Sequence, residues 1–207
     1  MSKGISEIDF GIAKQKFIWN IKIRKRKMRK IFDSLENFIK NENIIGIKRE
    51  NIDENTLLSI PLKISKKFLL VKYWYDFLFD GYKIVRIKDI TEIKQVKVIE
   101  EIHKLENIIV ENEDITPINI DGWQEMFKSM FSLNMIIIIE CERTTGVDFY
   151  IGKILNVKKI ALDILYFDGE GKWDENKTTI KYKYITCVSF SSRYIKFMSR
   201  YVNYINT

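Results

Sequence analysis

Apolar residues recur at every second position in two separate stretches of this chain, a pattern that builds strands and cannot line one side of a helix. Leu58, Ile60, Leu62 and Ile64 alternate with Ser59, Pro61, Lys63 and Ser65, and Ile180, Tyr182 and Tyr184 alternate with Lys181 and Lys183. "FLLVKYWY" (68–75), "YKIVRI" (82–87), "MIIIIECE" (135–142) and "IALDILYF" (160–167) add β-branched and aromatic runs, which suit a pleated, half-buried surface. Pro61 cannot donate to a ladder, so its strand is expected to have a free edge or a bulge there. A first β region therefore spans 44–98, and a second begins at Met135.

The two regions echo one another. "FDGYKIVRIKDIT" (79–91) and "FDGEGKWDENKTTIKYKYIT" (167–186) both open on Phe-Asp-Gly and close on Ile-Thr, and "IIGIKRE" (44–50) is answered by "IIIIECE" (136–142). Eight residues separate Gly81 from Ile90 and fifteen separate Gly169 from Ile185, which reads as seven extra residues in a polar loop around "EGKWDEN". Surface loops absorb such insertions at small entropic cost. Asp80-Gly81 reads as a turn, because glycine accepts positive φ.

Helical spacing appears in three places. Met28, Ile31, Phe32, Leu35, Phe38 and Ile39 predict an N-terminal helix, and Val98, Ile102, Leu105 and Ile109 predict a linking helix. Trp123, Phe127 and Met130 predict another, opened by a capping box of Asp121 and Gln124. "RYIKFMSRYVNYI" (193–205) fits either a last strand or a short helix. Its Tyr194, Phe197, Tyr201 and Tyr204 are expected in the core, with Arg193, Lys196 and Arg200 reaching past them to water.

Small sheets must curl or pair, because open edges attract other chains. The expected fold is α+β: two tandem small antiparallel β barrels, Sm-like or SH3-like, with an N-terminal helix and linking helices. The segments are 1–43 (basic, helical), 44–98 (first barrel), 99–134 (linking helices) and 135–207 (second barrel with a C-terminal extension). The order helix, strands, turn, strands resembles the Sm-like family, whose second motif places a glycine between apolar strands; Gly81 or Gly169 stands there. No run reproduces that family's RNA-contacting residues, so none is carried over. Residues 40–200 also look similar to uncharacterised tandem small-barrel proteins of low-GC Gram-positive bacteria, through "DG…IR…DIT" and "FDGEGxW". That resemblance implies no activity.

Charge is concentrated in one place. Lys22, Arg24, Lys25, Arg26, Lys27, Arg29 and Lys30 supply seven cations and no acid, and the other 28 Lys and Arg balance 28 Asp and Glu. Such a segment can neutralise several phosphates and bind RNA or DNA. The longest apolar run, Met135–Ile139, has five residues, against the roughly 20 of a spanning helix, and the N-terminus lacks the apolar core of a signal peptide. With Cys141 and Cys187 both inside apolar runs, the expectation is a cytoplasmic protein with reduced, buried thiols.

Chemistry-bearing patterns are sparse. His103 is the single histidine and no Cys-x-x-Cys occurs, which leaves little for a triad or a structural zinc site. The acidic loop at Asp168, Glu170, Asp174 and Glu175 departs from a calcium loop: counted from Asp168, Trp173 replaces the turn glycine and Thr179 the bidentate glutamate. No catalytic residue, metal or cofactor is expected. The reading is a non-catalytic intracellular protein that holds a protein or small-molecule ligand on or between its two β units, with Trp173, Arg193 and Arg200 as candidate contacts. The alternative is nucleic-acid binding through 22–30. No membrane contact is expected, and homo-oligomers through open edges are.

Overall fold

The structure, a computed structural model, describes residues 26, 28–106, 115, 117–143 and 148–205. The chain divides into two units, 1–37 and 38–207. Helix α1 occupies 28–40, with Ile31 and Leu35 buried at i, i+4 spacing, so its last turn belongs to the second unit.

That second unit is built on ten strands: β1 (Ile45–Arg49), β2 (Asp53–Ile64), β3 (Phe68–Tyr75), β4 (Leu78–Arg86), β5 (Glu92–Gln95), β6 (Ile136–Cys141), β7 (Asp148–Val157), β8 (Ala161–Tyr166), β9 (Thr178–Lys181) and β10 (Cys187–Phe190). Helix α2 (Lys97–Leu105) follows β5, α3 (Trp123–Ser132) precedes β6, and α4 (Arg193–Ile205) follows β10. All ten strands form one antiparallel sheet, in the order β5-β1-β2-β3-β4-β10-β6-β7-β8-β9. The two closed barrels expected from the sequence are therefore corrected to a single open sheet. β10 satisfies β4, in the other half, where closure of the first half would have required β5.

Within the sheet, the repetition holds register by register. The row Gln95–Ile45–Ser59–Tyr73 across β5, β1, β2 and β3 matches Phe190–Ile137–Gly152–Tyr166 across β10, β6, β7 and β8. β2 slips between Pro61 and Lys63, and β7 slips at the corresponding Ile154 and Asn156. The bulge expected at Pro61 is present, in an interior strand.

Side chains repeat as well. The Thr91 amide and hydroxyl donate to Lys48 O (2.8 and 3.1 Å), as those of Thr186 do to Glu140 O (both 2.9 Å). The hydroxyls in turn accept from the Glu50 and Glu142 amides at 3.3 and 3.2 Å. α1 ends with Glu42 at φ 51 and Asn43 N donating to Phe38 O at 3.1 Å; α3 ends with Asn134 at φ 50 and Met135 N donating to Met130 O at 3.2 Å.

The same register revises the loop count and the turn. Between Val71↔Lys83 the first hairpin spends residues 72–82, eleven; between Ile164↔Thr178 the second spends 165–177, thirteen, so the excess is two residues. The first hairpin turns at Asp76-Phe77, with φ of 51 and 65, and Gly81 lies inside β4. Phe79-Asp80-Gly81 therefore follows its turn, whereas Phe167-Asp168-Gly169 precedes its loop. That part of the echo joins positions that are not equivalent.

One face of the sheet carries the main core. Phe68, Leu70, Tyr82, Ile84, Ile137, Ile139, Val188 and Phe190 project there and meet Met126, Phe127 and Met130 of α3, as the spacing on α3 predicts. Trp123, Phe127 and Tyr182 stack alongside. α3 begins after Gly122 with no side-chain cap, so the capping box at Asp121 is not formed. On the opposite face α4 lays Ile195 and Val202 over Ile138, Ile151 and Phe167. In α2, Ile102 of the expected stripe packs with buried Ile99 against the core, while Val98 and Leu105 are exposed; Ile109 lies outside the described residues. No helix among the described residues is long and apolar enough to cross a membrane.

Candidate functional site

The two repeats meet where β4, the fourth strand of the first, pairs with β10, the fifth strand of the second. Alternation places Lys83 and Ser189 side by side on the α4 face, with Ile138 next to Ser189 on β6. Two positions on from Ile138, Glu140 takes the same face. Here the Lys83 ammonium lies 3.1 Å from Glu140 Oε1, and Ser189 Oγ donates to the same oxygen at 3.4 Å. Lys83 Nζ also stands 4.7 Å from the centre of the Tyr73 ring, close enough for a cation–π attraction.

Above this floor is a cavity of about 330 Å³. Tyr73 and Tyr75, two apart on β3, line one side; Phe149 of β7 and Tyr194 of α4 line the other, their rings edge-to-face at 6.1 Å. Asp80 closes the rim. Its Oδ1 accepts from Arg193 N at 2.8 Å and lies 3.4 Å from Arg193 Nε, tying the start of α4 to β4. Ser192 caps the same helix, accepting from Ile195 N at 3.2 Å.

Burial works against the Lys83 ammonium, but the Glu140 carboxylate at hydrogen-bond distance opposes it and holds Lys83 protonated above the ordinary lysine range. Burial pushes the Cys187 thiol up to about 12 and also raises Tyr73. The site thus offers two charge-balanced pairs, Lys83 with Glu140 and Asp80 with Arg193, inside four aromatic walls. A donor and an acceptor face the cavity without net charge.

A second hollow, about 300 Å³, lies at the corresponding place in the second repeat. Tyr166, the counterpart of Tyr73, lines it, and the hairpin 167–177 encloses it beside β9, the end strand of the sheet. Trp173 belongs to this hairpin: it is half-buried, packs edge-to-face on Phe167 at 5.1 Å and lies beneath Lys153. Nearby, buried Asp163 accepts from Lys158, Thr179 and Lys177, which hold its carboxyl well below the usual range and clamp β8 to β9. Among the described residues no group of three or more His, Cys, Asp and Glu is placed to hold a metal ion.

Of the residues singled out from the sequence, Arg193 is not among those that line the main cavity but holds Asp80, which is. Arg200 is exposed on α4, over the Phe197 ring at 5.0 Å. Arg26, Arg29 and Lys30 are exposed; Lys22, Arg24, Lys25 and Lys27 lie outside the described residues. The His103 side chain also lies outside them. None of the residues that line the cavity was expected at a site: Tyr194 was expected in the core and Asp80 in a turn. Their signal was a charge inside an otherwise apolar strand, Lys83 in "YKIVRI" and Glu140 in "IIIIECE".

Comparison with family models, with curated proteins and with solved structures finds no match for this chain.

Proposed function

We propose that this is a non-catalytic binding protein that holds a small, flat, uncharged ring compound in the cavity between its repeats. The observation that carries the reading is the balanced pair Lys83–Glu140 at the base of an aromatic-walled cavity of about 330 Å³. Ligand sites run roughly 300–1,000 Å³ and combine apolar walls with a few fixed polar groups. A ring laid against Tyr73 or Tyr75 stacks on it, while its edge exchanges hydrogen bonds with Lys83, Glu140 and Ser189. A free anion or cation is disfavoured, because each charged group in the cavity already has its partner. Two buried, reduced thiols, Cys141 and Cys187, support a reducing compartment, the cytoplasm.

Denaturing mass spectrometry of the purified chain is expected to release a heteroaromatic compound, with nucleosides as the first probes for titration. Tyr75→Ala with Phe149→Ala removes two exposed walls, 58% and 46% accessible. It is expected to weaken binding at least about tenfold, roughly 1.4 kcal/mol, while changing stability by about 0.5 kcal/mol per site. A chain that releases no ring compound, and whose melting temperature no nucleoside or other neutral heteroaromatic shifts, contradicts the reading.

A second reading, nucleic-acid binding through 22–30, is supported by the exposure of Arg26, Arg29 and Lys30. Replacing Arg24, Lys25, Arg26 and Lys27 with Ser is then expected to lower the salt needed for elution from heparin and to weaken RNA binding. Unchanged elution and affinity dispose of it.

A further inference from the structure

Helix α4 carries two stripes at the spacing of three and four residues that marks a helix seam. Ile195, Met198 and Val202 form the inner one, against Ile138, Ile151 and Phe167. Tyr194, Phe197, Tyr201 and Tyr204 form the other, and they are exposed, at 46, 64, 47 and 80%. The sequence reading placed these four aromatics in the core; the shorter aliphatic stripe occupies it. Four large rings in line cover about 15 Å of helix axis. An exposed apolar row of this kind marks a contact surface, and tyrosine is among the residues that dominate binding energy at interfaces.

Charge selects the occupant. Arg193, Lys196 and Arg200 lie one residue before Tyr194, Phe197 and Tyr201, in a basic row alongside the aromatic one, and α4 contains no acid. A second copy of α4 would set cation against cation. On the other flank Gly171 closes on Tyr201: a Cβ there would lie 3.0 Å from its ring. Gly171 brings with it the hairpin 167–177, net acidic, with Asp168, Glu170, Asp174 and Glu175 against Lys172 and Lys177. A phosphodiester chain, uniformly negative, meets these acids on one side whatever it gains on the other. A helix can match both sides.

We propose that α4 docks an amphipathic helix of another protein, with apolar residues at three-four spacing set between the tyrosines and acidic residues along the flank facing Lys196 and Arg200. The mode is a helix laid along a helix, as in a short coiled coil. The acid–base pairs set partner choice and orientation, and the rings supply the buried area. This surface shares Tyr194 with the cavity wall, but Phe197 and Tyr204 are not among the residues that line the cavity, so changing those two tests the surface alone.

The full-length chain is titrated against three fluorescent probes: a helical peptide with a leucine seam and a glutamate flank, the same peptide with a lysine flank, and a single-stranded oligothymidylate. Binding of the glutamate peptide is expected to be at least about tenfold tighter than that of the lysine peptide. The double variant Phe197→Ser, Tyr204→Ser should lose that binding with its melting temperature unchanged. Lys196→Glu with Arg200→Glu should reverse the preference between the peptides. Equal affinity for the two peptides overturns the proposal, as does binding that the serine variant retains. Oligothymidylate binding that the serine variant abolishes, without preference for the glutamate peptide, assigns the surface to nucleic acid instead. Self-association that the serine variant abolishes assigns it to a second copy.

Discussion

Gly81→Ala is expected to lower the stability of the protein by about 3 kcal/mol or more, whereas Gly169→Ala should leave it within about 0.5 kcal/mol. Both glycines stand in a Phe-Asp-Gly string, and only one is constrained. Gly81 holds φ +80, a conformation that residues with a side chain adopt at a cost of about 1–3 kcal/mol. A Cβ there would also lie 2.5 Å from Ser192 N, 2.6 Å from Phe190 O and 2.7 Å from Ser191 C. All three are backbone atoms, so no side chain can swing aside, and β10 has to move off β4. Overpacking of this kind adds about 1–3 kcal/mol. Gly169 meets nothing within 4 Å. Urea unfolding of the two variants side by side measures the difference. Equal midpoints would mean that the repeats do not approach as closely as described. Because Asp80 and Lys83 flank Gly81, the substitution should weaken ligand binding in the cavity too.

These glycines show why the duplication was legible and its geometry was not. The Ile runs and the Ile-Thr ends mark true equivalents, because Thr91 and Thr186 make the same three hydrogen bonds. Phe-Asp-Gly marks none, because aromatic, aspartate and glycine collect wherever a strand meets a turn. Alternation told which residues face a core and left open which edge each strand would pair with. Closing each half and joining the halves through β4 and β10 use the same side-chain pattern, so the two arrangements read alike. On α4 the difficulty was a choice between two stripes of equal spacing. The structure buries the aliphatic one and leaves outside the one whose tyrosine hydroxyls water can satisfy. The cavity was hidden for a related reason: its walls come from β3, β7 and α4, more than 70 residues apart in sequence between Tyr75 and Phe149.

Arg49 is expected to be the costliest single side chain to remove, about 3–5 kcal/mol for Arg49→Met. It ends β1 in the first repeat, and its guanidinium is 2% exposed. Nη1 and Nη2 donate to Glu142 Oε2 and Oε1 at 2.9 and 2.8 Å, a bidentate clamp on the residue that follows β6 in the second repeat. Asp53 lies 3.6 Å away as a weaker, more exposed partner. The position equivalent to Arg49 is Cys141, so the second repeat does not copy the clamp, which joins one repeat to the other. Removing the arginine leaves the Glu142 carboxylate, 9% exposed, without its fork of donors. The loss comes mainly from that uncompensated charge, which fixes the outcome of the double variant. Arg49→Met with Glu142→Met discards both charges and fills the space with apolar atoms, so it should recover most of what the single change loses. Arg49→Lys keeps a charge but not the fork and should fall between. A double-mutant cycle by urea unfolding reads the coupling directly. A single Arg49→Met costing under about 1 kcal/mol, with no coupling to Glu142, would show that the repeats hold together through β4–β10 pairing and the other contacts across it, without this clamp.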